Sequence, residues 1–207
     1  MILVNSRPYL TTVLIMIVFI ILGRVDIEEA TDRSIPLTSL LGGLGLLSIL
    51  LPLSLGASSK ARRRLGWIRP RLSDLPQLLL LALSTLLLAG LLPLPGSNME
   101  PDLGGFANAT PLILCLLLAS ITEEIFFRSW MLSTLMASGL SRVLTVAISV
   151  AAFALIHLWQ GLHGVVVAAL VGLIYALFFL YRRNLFVLIG GHAIYNIIAA
   201  LYHQPPA

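Results

Sequence analysis

The sequence predicts an all-α polytopic transmembrane helix bundle of about seven spans. Three observations predict it. First, the 207 residues are 58% hydrophobic and only 11% charged, with a mean hydropathy of +1.00. A soluble domain averages roughly 25% charged residues, and so short a chain has too little interior to hide this much apolar surface. Second, the apolar residues fall into runs near the length a helix needs to cross a hydrocarbon core, about 17 to 25 residues. Third, the basic residues gather at alternate ends of those runs, as they do in cytoplasmic loops.

The expected spans follow in order. Residues 8–22 form the first, reaching Val25 if Arg24 snorkels. No small-x-small cleavage site precedes the acidic stretch at 26–32, so this run reads as a retained helix rather than a signal peptide. Residues 35–57 form the second, loosened by Gly42, Gly43, Gly45 and Pro52. Residues 75–92 form the third. The fourth covers 110–136 with Pro111 in its first turn, longer than one bilayer thickness. Residues 143–159, 164–181 and 185–202 form the fifth, sixth and seventh.

The connections sort by charge. Arg7 precedes the first span; Lys60, Arg62, Arg63, Arg64, Arg69 and Arg71 separate the second from the third. Arg142 separates the fourth from the fifth, and Arg182 with Arg183 the sixth from the seventh. The opposite connections carry Asp26, Glu28, Glu29 and Asp32, then Glu100 and Asp102, then no charge. This alternation predicts a cytoplasmic N-terminus, in the plasma membrane if the host is bacterial. The dense basic loop suits anionic lipid headgroups. Residues 1–207 read as one integral membrane domain, with the functional helices within 110–203. The net charge of +4 belongs to these loops. Once the spans are removed no aromatic-plus-basic surface is left, which argues against a nucleic-acid partner. The one cysteine, Cys115, lies in an apolar run, so neither an intrachain disulfide nor a cysteine zinc motif can form. Trp67, Trp130, Trp159, Tyr9 and Tyr202 suit interfacial belts. His163 reads as turn polarity beside Gly161 and Gly164, and His203 as interfacial.

Three charged residues interrupt the apolar spans: Glu123, Glu124 and Arg128, in Ile121-Thr122-Glu123-Glu124-Ile125-Phe126-Phe127-Arg128. A charge at the bilayer centre costs about 2.5 to 3.5 kcal/mol on insertion scales, so such residues face the bundle and find partners. Glu124 and Arg128 are four apart, acid first, and share a helix face. Glu123 lies about 100° away around an α-helix. Arg128 therefore compensates Glu124, and Glu123 is left to face something else. A buried ion pair that only fixes packing accounts for Glu124 and Arg128 equally well. Two more polar foci lie in apolar helices: Phe153 with His157, and His192 with Asn196, the latter two stacked on one face. Each histidine alone could be a helix-packing hydrogen bonder. Three foci on three helices satisfy one another only by converging.

Convergence makes chemical sense. Glu123 with His157 can hold a water and take its proton. His192 and Asn196 can donate to the oxyanion that results. A zinc site on Glu123, His157 and His192 is the competing chemistry, although no HExxH pair is present. The favoured reading needs no cofactor. Gly172 with Ala176 reads as a small-xxx-small packing pattern.

These foci resemble the CAAX-processing and bacteriocin-processing (CPBP) intramembrane proteases. The family's EExxxR matches Glu123, Glu124 and Arg128; its FxxxH matches Phe153 and His157; its HxxxN matches His192 and Asn196. The resemblance covers about residues 110 to 200 and implies a helical fold enclosing a polar intramembrane cavity, and endoproteolysis of a membrane protein or lipidated peptide, prenylated CAAX proteins included. It also implies water activation by the residues matching Glu123 and His157 and oxyanion stabilisation by those matching His192 and Asn196. Ser129 departs from the family, where many members have glycine after the arginine. The alternatives are a non-catalytic scaffold, bacteriocin-immunity or regulatory protein of the same fold, and a proton-coupled carrier. No pair of broken helices in repeated halves supports the carrier.

Overall fold

The computed structural model describes residues 37–55, 58–92 and 109–202, together with Leu14, Ile15 and Ile17. Among these the secondary structure is helical throughout. Helix α1 spans Leu37–Leu55, α2 Ser59–Arg64, α3 Leu75–Leu91 and α4 Ala109–Glu123. A π-helical segment, Glu124–Leu132, continues α4 directly and passes into α5, Ser133–Ala137. Then come α6 (Arg142–Leu155), α7 (Gly161–Arg182) and α8 (Leu185–Tyr202). The expected first span lies outside the described residues, apart from the three named. Of these, Ile15 is buried in the core beside Leu46 and Leu50 of α1.

Helix α6 packs along α7, α3 along α8, and α4 against both α1 and α8. The π segment touches α1, α6, α7 and α8, so it runs through the middle of the bundle. All nine of its residues are buried. Two described helical stretches, Leu72–Leu91 and Leu158–Arg182, are long and apolar enough to cross a membrane, and 41–52, 142–155 and 185–199 are shorter apolar helices. The first of these stretches has 17% of its length buried. Leu80, Leu83, Leu87 and Leu91 of α3 are all exposed. An apolar face of that extent matches lipid rather than water.

The boundaries expected for the second, third and seventh spans agree with α1, α3 and α8 to within two residues at each end. The fifth does not. Helix α6 stops at Leu155, before His157, because the chain tightens there: the His157 N–H bonds the Ala154 carbonyl and a 3-10 turn covers Leu158–Gln160. Helix α7 then starts at Gly161, three residues earlier than the pattern suggested. His163 is therefore helical rather than in a loop, and its Nε2–H donates across to the Ala89 carbonyl, 3.4 Å away. That carbonyl is in the last turn of α3, where helix carbonyls lack intrahelical donors. Trp130 is not interfacial: it is 5% exposed and stacks on Phe126 inside the core. His203 and Tyr9 lie outside the described residues.

The connections that carry basic residues meet at one end of the bundle. Gly66, at φ +84°, turns the chain after α2 so closely that an added Cβ would lie 2.6 Å from the Phe179 ring and 3.2 Å from the Arg183 carbonyl. Only glycine fits there. The Leu185 N–H bonds the Gly66 carbonyl at 2.9 Å, joining the α2–α3 and α7–α8 connections. Asp74 accepts from the Arg71 N–H at 2.9 Å and from the Asn184 amide at 3.1 Å.

Candidate active site

The acidic pair sits where α4 passes into the π segment. In an α-helix successive residues diverge by about 100°, which predicts that Glu123 and Glu124 serve different partners. The switch to i→i+5 bonding loosens the turn. In the structure both carboxylates reach one ring. His192 Nδ1 is 2.9 Å from Glu124 Oε1, and His192 Nε2 is 3.7 Å from Glu123 Oε2. A carboxylate accepts, so the Nδ1–H donates to Glu124 and fixes the imidazole plane.

The two acids differ in access. Glu124 is fully buried, while the Glu123 side chain keeps 15% exposure. As the i,i+4 spacing predicts, Arg128 compensates Glu124, its NH1 3.2 Å from Glu124 Oε1. The guanidinium carbon also lies 4.1 Å from the Phe153 ring centroid, 5.6 Å from that of Tyr175 and 6.0 Å from that of Phe127. A delocalised cation against aromatic faces is one of the few ways to bury a guanidinium away from water. Its nitrogens make no hydrogen bond among the described residues, so the ion pair and the ring faces carry its compensation.

Phe153 links the foci. Its ring is under Arg128, 4.7 Å from the His157 ring and 6.2 Å from the His192 ring. Gly172 of α7 lets it sit there, for a Cβ at 172 would lie 3.2 Å from Phe153 Cδ1. The expected role of Gly172 in helix packing thus acquires a definite partner. His157 donates Nδ1–H to the carbonyl of Phe153 at 2.8 Å, one turn back. Its Nε2 is then the free acceptor of a neutral ring. Glu123, His192 and Arg128 all lie within electrostatic reach of it. Asn196, one turn beyond His192 on α8, donates its amide to Ser120 Oγ at 3.1 Å, and Ser120 in turn donates to the Leu116 carbonyl at 2.8 Å. The amide nitrogen carries two hydrogens, so Ser120 orients it and leaves one.

The four polar groups expected to converge do so around the start of the π segment, but the partnering differs from the expectation. His192 engages both acids rather than standing apart with Asn196. His157 is tied to its own helix end. Among the described residues no group of three His, Cys, Asp or Glu side chains is placed to hold a metal ion.

Two contributors escaped the sequence reading. Ser120 is a small hydroxyl in an apolar helix, ordinary in a membrane span; its position one turn before Glu124 was the available signal. Tyr175 is fully buried, edge-on to His192 with centroids 5.9 Å apart, and its hydroxyl is 3.4 Å from Thr85 Oγ1 of α3. A phenol within a Leu-rich run was its only mark.

Residues 105–198 match the family model for type II CAAX prenyl endopeptidase Rce1-like proteins, the CPBP family. The matched stretch contains Glu123, Glu124, Arg128, Phe153, His157, His192 and Asn196. No curated protein and no solved structure matches the chain.

Proposed function

We propose, from the premise that residues 105–198 are Rce1-like and thus of the CPBP intramembrane proteases, that this membrane protein is a glutamate-type endopeptidase using Glu123, His157, His192 and Asn196. The observation that carries the reading is the single imidazole held between two carboxylates, Nδ1 at 2.9 Å from Glu124 and Nε2 at 3.7 Å from Glu123. A structural ion pair needs one acid and Arg128 alone. It gives no reason for a second, partly open carboxylate whose Oε2 has no hydrogen-bond partner among the described residues.

In this reading Glu123 takes the proton of a water that attacks the scissile carbonyl carbon, with His157 Nε2 as the second acceptor. The carbonyl π electrons move to oxygen. That oxyanion is met by the Asn196 N–H that Ser120 does not use, and by His192 Nε2 when the ring carries both protons. The proton taken from water passes to the departing amide nitrogen, so the hydroxyl ends on the acyl carbon and the hydrogen on the amine. Glu124 acts on His192 rather than on substrate: it accepts from Nδ1–H and holds the ring plane, while Arg128 compensates the Glu124 carboxylate.

The substrate class is a membrane-associated protein or peptide, prenylated CAAX-type chains included. The remaining assignments belong to the same proposal: seven spans around a polar cavity, a cytoplasmic N-terminus, residence in the plasma membrane of a bacterial host, anionic lipid against the basic face, and no required cofactor.

The test is cleavage of a lipidated and unlipidated peptide library by purified protein in proteoliposomes, with and without a chelator. The expected outcome is chelator-insensitive cleavage that falls about 10²–10⁴-fold in Glu123→Gln. Cleavage abolished by chelator would instead favour a metal centre. A phenotype that survives Glu123→Gln and His192→Ala in the folded, inserted protein would favour the scaffold.

A further inference from the structure

The basic end of the bundle contains a charge cluster that the site does not explain. Arg183, at φ 52° just past the end of α7, folds back so that its NH1 donates to the Arg64 carbonyl at 3.0 Å and lies 3.4 Å from Ser133 Oγ. Ser133 Oγ also donates to the Arg64 carbonyl at 3.3 Å, and Ser129 Oγ donates to the Leu65 carbonyl at 2.6 Å. These bonds cap the C-terminal carbonyls of α2, a helix with no buried residue of its own, and latch it onto the π segment and α5. Ser129, the departure from the family's glycine, is one of the latches.

The latch brings like charges together. Arg183 is half-buried; burial first, then the charges of Arg142 and Arg64, press its guanidinium below the ordinary arginine range. Arg142 is the first residue of α6, where a cation opposes the helix dipole. Among the described residues the acids are Asp74, Glu123 and Glu124. Asp74 is engaged with Arg71 and Asn184, and the other two belong to the site. Among the described residues no acid answers the three guanidiniums. Surface positive charge for topology would not require Arg183 to fold back onto the Arg64 carbonyl, within electrostatic reach of two further cations.

We propose that Arg64, Arg142 and Arg183 form a binding site for the phosphodiester of an anionic phospholipid headgroup. This narrows the general contact between basic face and anionic lipid to one place. Guanidinium forks match phosphate oxygens with paired hydrogen bonds. The location selects lipid over soluble phosphate: Arg183 follows directly on the apolar stretch Leu158–Arg182, where the hydrocarbon gives way to headgroups. An anion there would relieve the repulsion and tighten the latch on the segment that carries Glu124 and Arg128.

The test reads stability, not cleavage, so it stands apart from the protease proposal. Wild type and Glu123→Gln are purified in neutral detergent at low salt, where charge contacts are least screened. Their unfolding temperatures are followed as phosphatidylglycerol, phosphatidylcholine or inorganic phosphate is added. Phosphatidylglycerol should raise both proteins' Tm and phosphatidylcholine should not. The Arg64→Gln/Arg142→Gln variant, altering two exposed side chains, should lose more than half of that rise. Lys60→Gln/Arg62→Gln, which removes an equal charge from the same basic face but leaves Arg64, Arg142 and Arg183 in place, should keep it. Equal losses in the two variants would mean a diffuse basic surface and overturn the site. Inorganic phosphate matching phosphatidylglycerol at equal concentration would overturn the lipid assignment.

Discussion

Replacing Arg128 by glutamine tests whether the ion pair beside the catalytic candidates is structural bedrock or a convenience. The substitution leaves the Glu124 carboxylate at 0% exposure with only His192 for compensation. Removing one partner of a buried pair destabilises by about 3–5 kcal/mol, because the remaining charge stays desolvated. The Phe153 face, 4.1 Å from the guanidinium, loses a desolvated cation contact of about 2 kcal/mol within that total. Glu124→Gln should cost a similar amount, since it strands the guanidinium among Phe127, Phe153 and Tyr175. The double variant removes both charges and should be less destabilised than the sum of the singles, by about 2–3 kcal/mol of coupling. Equilibrium unfolding in mixed micelles, run as a full double-mutant cycle, measures all three. An Arg128→Gln loss below about 1 kcal/mol, or strict additivity, would refute the claim that the two charges are buried against each other.

Other outcomes follow from the same geometry. Asn196→Ala should lower kcat about 10²–10³-fold while leaving KM nearly unchanged, as loss of an oxyanion donor does. Ser120→Ala, which removes only the group that aims the Asn196 amide, should lower kcat several-fold, measured on the same peptide substrate. Gly66→Ala should destabilise the fold by about 1–3 kcal/mol, read by thermal unfolding. Its backbone is at φ +84° and the new methyl would meet the Phe179 ring, so the loss should exceed that of Gly139→Ala at φ +90°, where nothing lies near.

Much of the architecture was legible because lipid imposes simple rules. Apolar runs of spanning length gave α1, α3 and α8 to within two residues at each end, and alternating charge predicted which connections share a side. The structure brings the connections at Gly66 and Leu185 into direct contact. The pairing of Glu124 with Arg128 was legible from i,i+4 spacing. The end of α6 was not, because apolar residues continue through Ile156 and Leu158 and nothing in the composition signals a 3-10 turn. Trp130 was misjudged for the opposite reason: an aromatic near a span's end suits either an interface or a core, and contact with Phe126 decides which.

By itself the sequence determined the solvent, the helices and the residues too polar to be there by accident, since each of these depends on local composition and spacing. Which groups meet was decided only by tertiary structure. Helical periodicity sends Glu123 and Glu124 to different neighbours. The wider π turn, together with the approach of α8, brings both to the opposite nitrogens of His192. Backbone bonding register and interhelical distance are properties of the packed bundle, and no stretch of residues read alone contains them.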